Sequence, residues 1–170
     1  MSLPQPKWSD SDAVQRDEMT AFVGKNADYY LSRWTPLLEG ENWTAFNWAA
    51  FCFSGFWLPY RKMYKAAVIF FGIILLESIL EGRLFGGETN RERERVVGLV
   101  AAMVCGGYGN RWYLSHVKKV ISQIRAQELP GNAFVDAISK RGGTSVGAAL
   151  AFLAGFVALL FVAGFFASAG

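Results

Sequence analysis

Apolar residues dominate four stretches of the chain: Trp43 to Tyr60, about 64–82, 96–113 and Val146 to Gly170. The last has 25 residues with no charged side chain and one hydroxyl, Ser168. As a helix it is roughly 37 Å long at about 1.5 Å per residue, enough to cross a bilayer. A hydrocarbon layer excludes unsatisfied backbone, so the other apolar runs are also expected to be helical. Residues 1–19 are polar, mixed in charge and read as a flexible tail, with 20–170 as a single membrane domain. Within 20–38, Phe22, Val23, Tyr30, Trp34 and Leu37 recur at near-helical spacing until Pro36 interrupts them, which predicts an amphipathic interfacial helix.

The 43–60 stretch carries Trp43, Phe46, Trp48, Phe51, Phe53, Phe56, Trp57 and Tyr60, and Gly55 and Pro59 weaken its second half. Tryptophan-rich sequence favours headgroup depth over the hydrocarbon centre. A re-entrant or in-plane segment is therefore expected, followed by spans at about 64–82, 96–113 and 146–168. The fold class that results is an all-α membrane protein: three transmembrane helices, an aromatic re-entrant or interfacial segment and an amphipathic N-terminal helix. Beyond Tyr113, Val117, Val120, Ile121 and Ile124 share a face opposite Lys118, Lys119, Ser122 and Arg125, so the third helix should continue as a surface helix until Pro130 and Gly131. Gly142 to Ser145 should form a turn and the cap of the last helix.

Charge sets the orientation. If 43–60 enters and returns, every basic residue except Arg83, Arg91, Arg93 and Arg95 lies on one side with the N-terminus; a full crossing divides them almost evenly. The positive-inside rule favours the first arrangement, with a cytoplasmic N-terminus. The first 19 residues lack the apolar core of a secretory signal. A net charge of +3 is too small to argue for nucleic acid. Cys52 and Cys105 sit in apolar runs and are expected to be free.

Phe46-Asn-Trp-Ala-Ala-Phe51, Phe56-Trp57 and Tyr60-Arg-Lys-Met-Tyr64 form the most specific motif in the chain. With Asn110-Arg-Trp-Tyr113, His116 and Gly142-Gly-Thr-Ser145, it resembles an uncharacterised bacterial family of small integral inner-membrane proteins, known as a domain of unknown function. The resemblance covers roughly Phe22 to Ser145. It implies a fold and a bacterial inner-membrane location, and no activity.

Three sets of residues are candidates for function. Trp57, Tyr60, Arg61, Lys62, Tyr64 and Lys65 read as an interfacial anchor, with cations at lipid phosphates and rings at headgroup depth. Glu77 and Glu81 are intramembrane carboxylates one turn apart, suited to a proton or cation site, or else to a structural role with Glu81 near Arg83 or Arg95. Gly98, Ala102 and Gly106 on the third span and Gly147, Ala151 and Gly155 on the fourth recur every four residues, and these two small-residue faces are expected to pack together. His116, the single histidine, has no companion ligand at metal spacing and reads as a surface residue.

No catalytic, cofactor-binding or metal-binding set is expected. The leading expectation is a non-enzymatic accessory subunit or scaffold of a membrane complex, with the bilayer and a larger complex or a homo-oligomer as partners. A small channel or proton-coupled carrier using Glu77 and Glu81 is the second reading. A protein that binds lipid headgroups and bends or senses the membrane is the third.

Overall fold

The computed structural model describes residues 10–42, 45–84 and 91–168. Every regular element among these is helical. The start of the expected tail, Trp43 and Thr44 of the aromatic segment, the 85–90 part of the polar loop and the last two residues lie outside the described residues. The chain divides into two compact units, one formed by 1–44 and 114–143, the other by 45–113 and 144–170.

The first unit contains α1 (Asp10–Val23), a 3-10 turn (Gly24–Asn26), α2 (Ala27–Leu38), the end of α6 (Arg91–Arg125) and α7 (Gly131–Arg141). Met19, Phe22 and Val23 form the inward stripe of α1, and Ala27, Tyr30, Leu31 and Trp34 that of α2; all are buried. Their spacing of three and four residues is that of one helical face. Gly24, at φ +73°, ends α1 in a left-handed conformation that a Cβ would penalise. From α6 come Leu114, Val117, Ile121 and Ile124, and from α7 Ile138, all buried in the same unit. Each large apolar side chain removed from water in this way contributes about 1.5–3 kcal/mol.

This arrangement corrects two expectations. The helix starts at Asp10, within the segment read as a flexible tail, and residues 20–38 are two helices instead of one interfacial helix. Trp34, Tyr30 and Phe22 are at most 1% exposed, so protein and not lipid covers the apolar face. Amphipathicity alone does not distinguish these two coverings. Pro36 lies in the last turn of α2 without stopping it.

Gly142 closes the unit. A Cβ there would run into the Phe22 carbonyl, and the Gly143 N–H donates to that same oxygen at 2.7 Å, with Gly143 at φ +75°. Arg125 pairs with Glu18 across α6 and α1.

The second unit holds α3 (Trp48–Phe53), a 3-10 turn (Ser54–Phe56), α4 (Trp57–Tyr60), α5 (Tyr64–Leu84), the first part of α6 and α8 (Val146–Ser168). The aromatic segment is thus broken into short pieces and is not one helix. Ser145 caps α8, its hydroxyl accepting the Ala148 N–H at 3.1 Å. α5 and α6 run antiparallel within the unit, since Glu81 meets Arg93 at one end while α4, just before α5, packs on Tyr113 at the other. Phe152 and Phe156 of α8 pack against Phe56, Tyr64 and Phe71, with Phe71 and Phe156 4.9 Å apart between ring centres.

The expected pairing of small-residue faces is not formed. Positions where Gly98, Gly147 and Gly155 would carry a Cβ have no neighbouring atom within 4 Å, and Ala151 is exposed. Gly106 faces the Phe46 ring instead, and a Cβ would overlap that ring. Large rings on α8 and on the aromatic segment supply more contact area than two glycine faces can, and they occupy the inside of the unit.

Among the described residues one stretch, Gly131–Val162, whose apolar part is α8, is long and apolar enough to cross a membrane, and none of its α8 side chains is fully buried. The other two expected spans do not meet that requirement. α5 carries Lys65, Glu77 and Glu81, and in α6 the charged Arg91 to Arg95 start and the Asn110-Arg111 pair leave only a short apolar run between them.

His116 is half-buried in the first unit, edge-on to Phe22 at 6.0 Å. Burial, with a smaller contribution from the charge of Lys119, pushes its imidazole below the ordinary value of 6.5. The neutral ring therefore belongs to the folded state. On acidification the unfolded chain takes up the proton first, so stability present above about pH 6.5 is lost as pH falls through the lower folded value. Thermal melts of the full chain are expected to drop as pH falls below about 6.5, and His116→Gln is expected to flatten that part of the profile.

Candidate functional site

Three polar side chains are buried among the described residues: Asn47, Asn110 and Arg61. All three belong to the second unit, and all three have a packing task. Asn47 precedes α3 with an extended backbone, and its Oδ1 accepts the Ala50 N–H at 3.0 Å, so it is the N-cap. Its Nδ2 donates to Asn110 Oδ1 at 2.8 Å, and Asn110 Nδ2 donates to the Ala45 carbonyl at 2.6 Å. The Asn47 backbone N–H donates to the Gly106 carbonyl at 2.8 Å. The start of the aromatic segment is thereby fastened to one face of α6, where Gly106, Gly109 and Asn110 lie three and four residues apart. Gly109 lets Ala50 and Trp57 approach, with the position of its absent Cβ 3.0 Å from Ala50 Cβ.

α4 continues along the same face. Trp57, 2% exposed, meets Tyr113 edge to face at 5.8 Å between ring centres. Four residues later Arg61, 3% exposed, places its guanidinium 5.1 Å from the Tyr113 ring centre and 5.6 Å from that of Tyr60. Aromatic faces stabilise a desolvated cation in this way. The Lys62 N–H donates to the Pro59 carbonyl and the Met63 N–H to that of Leu58, closing the end of α4 with Lys62 at φ +59°. Glycine usually holds this left-handed position after a helix.

The six expected anchor residues therefore divide. Trp57 and Arg61 are inside the protein and do not reach headgroups, because Tyr113 and the Gly109 face of α6 cover them. Tyr64 is 45% exposed, with one face stacked on Phe152, and Lys65 is exposed; Tyr60 and Lys62 are half-buried. The motif alternates inward and outward from Arg61 to Tyr64, with Arg61 and Met63 on the inside.

Glu81 Oε1 accepts from Arg93 Nη1 at 2.9 Å, which ties the far ends of α5 and α6 together. The sequence suggests Arg83 or Arg95 for this role; Arg95 instead pairs with Glu92 on the surface. Glu77 is half-buried one turn earlier, and the structure brings no cation to it among the described residues. No group of three or more metal-ligating side chains occurs among the described residues.

The family of proteins of unknown function DUF2628 matches residues 12–119. The chain belongs to the DUF2628 family. No curated protein and no solved structure matches it. The DUF2628 match covers α1 through most of α6, and so includes Asn47, Arg61, Glu77, Glu81 and Asn110. It ends before α7, the Gly142 to Ser145 turn and α8, and is shorter at that end than the resemblance drawn from the motifs.

Pairing of Asn47 with Asn110 is the feature that sequence reasoning missed. Both residues stand in quoted motifs, and Asn110 occupies the next four-residue step after Gly106. A carboxamide inside an apolar run is itself the signal, since it must find a partner when buried. In this DUF2628 protein, Asn110→Leu leaves the Asn47 amide and the Ala45 carbonyl without their partner. Melting in detergent is expected to fall by the equivalent of about 1–3 kcal/mol for each stranded group, while Asn110→Gln should retain part of the bonding.

Proposed function

We propose that this DUF2628 protein is an integral membrane scaffold or accessory subunit with three spans, α5, the first half of α6 and α8, and a re-entrant aromatic segment. The observation that carries the reading is the direction of its apolar surface. Val68, Ile69, Ile73, Leu76, Ile79 and Leu80 of α5 are all at least 49% exposed. Val96, Leu99, Val100 and Met103 of α6 and Leu150, Leu153 and Val157 of α8 are also exposed. A face this large needs a covering, and lipid supplies one. The first unit has the opposite distribution, with its large apolar side chains inside, as suits water.

Contacts of the aromatic segment favour a dip over a crossing. On α6 they run from Gly106 to Tyr113, and on α5 Gly55 meets Phe70 and Phe71, six and seven residues past the start of the helix. At about 1.5 Å per residue this is roughly 10 Å of depth in a layer of about 30 Å. The charge asymmetry along the chain supports a cytoplasmic N-terminus. The unfilled glycine positions on α6 and α8 leave room for a helix from another chain, which supports the accessory or scaffolding role. Pairing of Glu81 with Arg93 weighs against a carrier that uses both carboxylates.

Topology is testable with single cysteines at Ser115 and Thr89 after Cys52 and Cys105 are replaced by alanine. Impermeant reagent is expected to label the two from opposite faces of the membrane; labelling from one face overturns three spans. In mild detergent the chain is expected to co-purify with a stoichiometric membrane protein. A homogeneous monomer without any companion would remove the scaffolding role.

A further inference from the structure

α3 places Trp48, Ala49, Cys52 and Phe53 on one helical face, and all four are exposed, Trp48 by 66% and Phe53 by 65%. Ala50, on the opposite side, is fully buried against Gly109 of α6. Trp57 packs on the same Gly109, so α3 and α4 lie side by side there, and α4 leads directly into Arg61 to Lys65. Next to an uncovered aromatic face there is thus a turn carrying Lys62 and, one residue beyond the exposed Tyr64, an exposed Lys65.

The described acids of this unit lie elsewhere. Glu77, Glu81, Glu92 and Glu94 all fall toward the other end of α5 and α6, where Glu81 pairs with Arg93 and Glu92 with Arg95. One end of the unit is mixed in charge. The end beside α3 carries the exposed Lys65, with Lys62 half-buried three residues before it.

We propose that the outward face of α3, together with Lys62, Tyr64 and Lys65, docks on the headgroup layer of anionic phospholipids. The rings of Trp48 and Phe53 enter the boundary between headgroups and acyl chains, and the ammonium groups meet phosphodiesters. Exposed aromatic residues beside lysines fit that boundary chemically, since it is apolar on one side and anionic on the other. Charge complementarity selects the occupant: an anionic phospholipid offers in one molecule both the anion for the lysines and the apolar cover for the aromatic face. The inference rests on the membrane reading above and adds to it a lipid preference.

The test uses the full chain, extracted in mild detergent containing equimolar phosphatidylcholine and phosphatidylglycerol, with retained lipid quantified by mass spectrometry. Phosphatidylglycerol is expected to be enriched severalfold, since each lysine near an anionic surface contributes on the order of fivefold. Lys62→Gln with Lys65→Gln is expected to abolish the enrichment, and Arg83→Gln with Arg91→Gln, at the other end of α5 and α6, to leave it intact. Trp48→Ala should lower retention of both lipids. Equal retention by the wild type, or enrichment that survives the lysine changes, overturns the proposal. So does enrichment abolished by inorganic phosphate, which would indicate a free-anion site. Carbonate extraction separates the two levels: a chain that stays with the membrane but shows no lipid preference defeats this inference alone, whereas a chain released by carbonate defeats the membrane reading beneath it.

Discussion

Between Ala45 and Met63 the backbone passes through an extended stretch, a six-residue helix, a 3-10 turn, four residues of helix and a left-handed turn. Each change strands donors or acceptors that a continuous helix would satisfy, and apolar side chains surround them. The amide pair of Asn47 and Asn110 resolves the first and deepest of these breaks. One side chain caps α3 and reaches α6, and the other reaches back from α6 to the Ala45 carbonyl. The rest of the unit depends on that junction. It lays Phe46 in the gap at Gly106, sets Ala50 and Trp57 against Gly109, and leads to the closure at Tyr60, whose carbonyl receives the Ser145 N–H at the start of α8.

The two units distribute their apolar side chains in opposite ways with the same kind of element. In the first, three short helices and the end of α6 turn their apolar stripes toward one another and leave lysines, serines and acids outside. In the second, aromatic rings and the asparagine pair fill the inside, and long aliphatic faces point outward. Arg61 shows how far this inversion goes: the cation at the centre of the most basic motif lies inside, against tyrosine rings. Near the end of α5, Glu81 pairs with Arg93 at the start of α6 and joins the two helices, while Glu77, one turn earlier, meets no cation among the described residues.

Much of the helical character was legible. A chain with long uncharged runs, no alternating strand pattern and a serine before its last apolar run leaves few alternatives to helices, and Ser145 caps α8 where its sequence context indicates. The stripe of Val117, Ile121 and Ile124 was equally readable as a helical face. What covers a face was not. The stripes of α1 and α2 have the periodicity of an interfacial helix, and only α6 and α7 folding onto them make them a protein core. The glycine repeat of α6 was visible too, yet its partner is Phe46 and not α8, because a gap states how closely something can approach and not what fills it.

By itself, then, the sequence determined that the chain is helical, where its apolar runs lie and which polar residues interrupt them, since these follow from local periodicity, capping and the cost of burying charge. Tertiary structure decided that Asn47 meets Asn110, that Trp57 and Arg61 face inward while Tyr64 and Lys65 face outward, and that Arg93 is the partner of Glu81. These outcomes depend on which faces of distant segments come together. Hydrogen bonds and ring contacts between residues far apart in the chain, such as Gly143 with Phe22 or Phe156 with Phe56, have no counterpart in local pattern, because the energy that selects them exists only after the helices have packed.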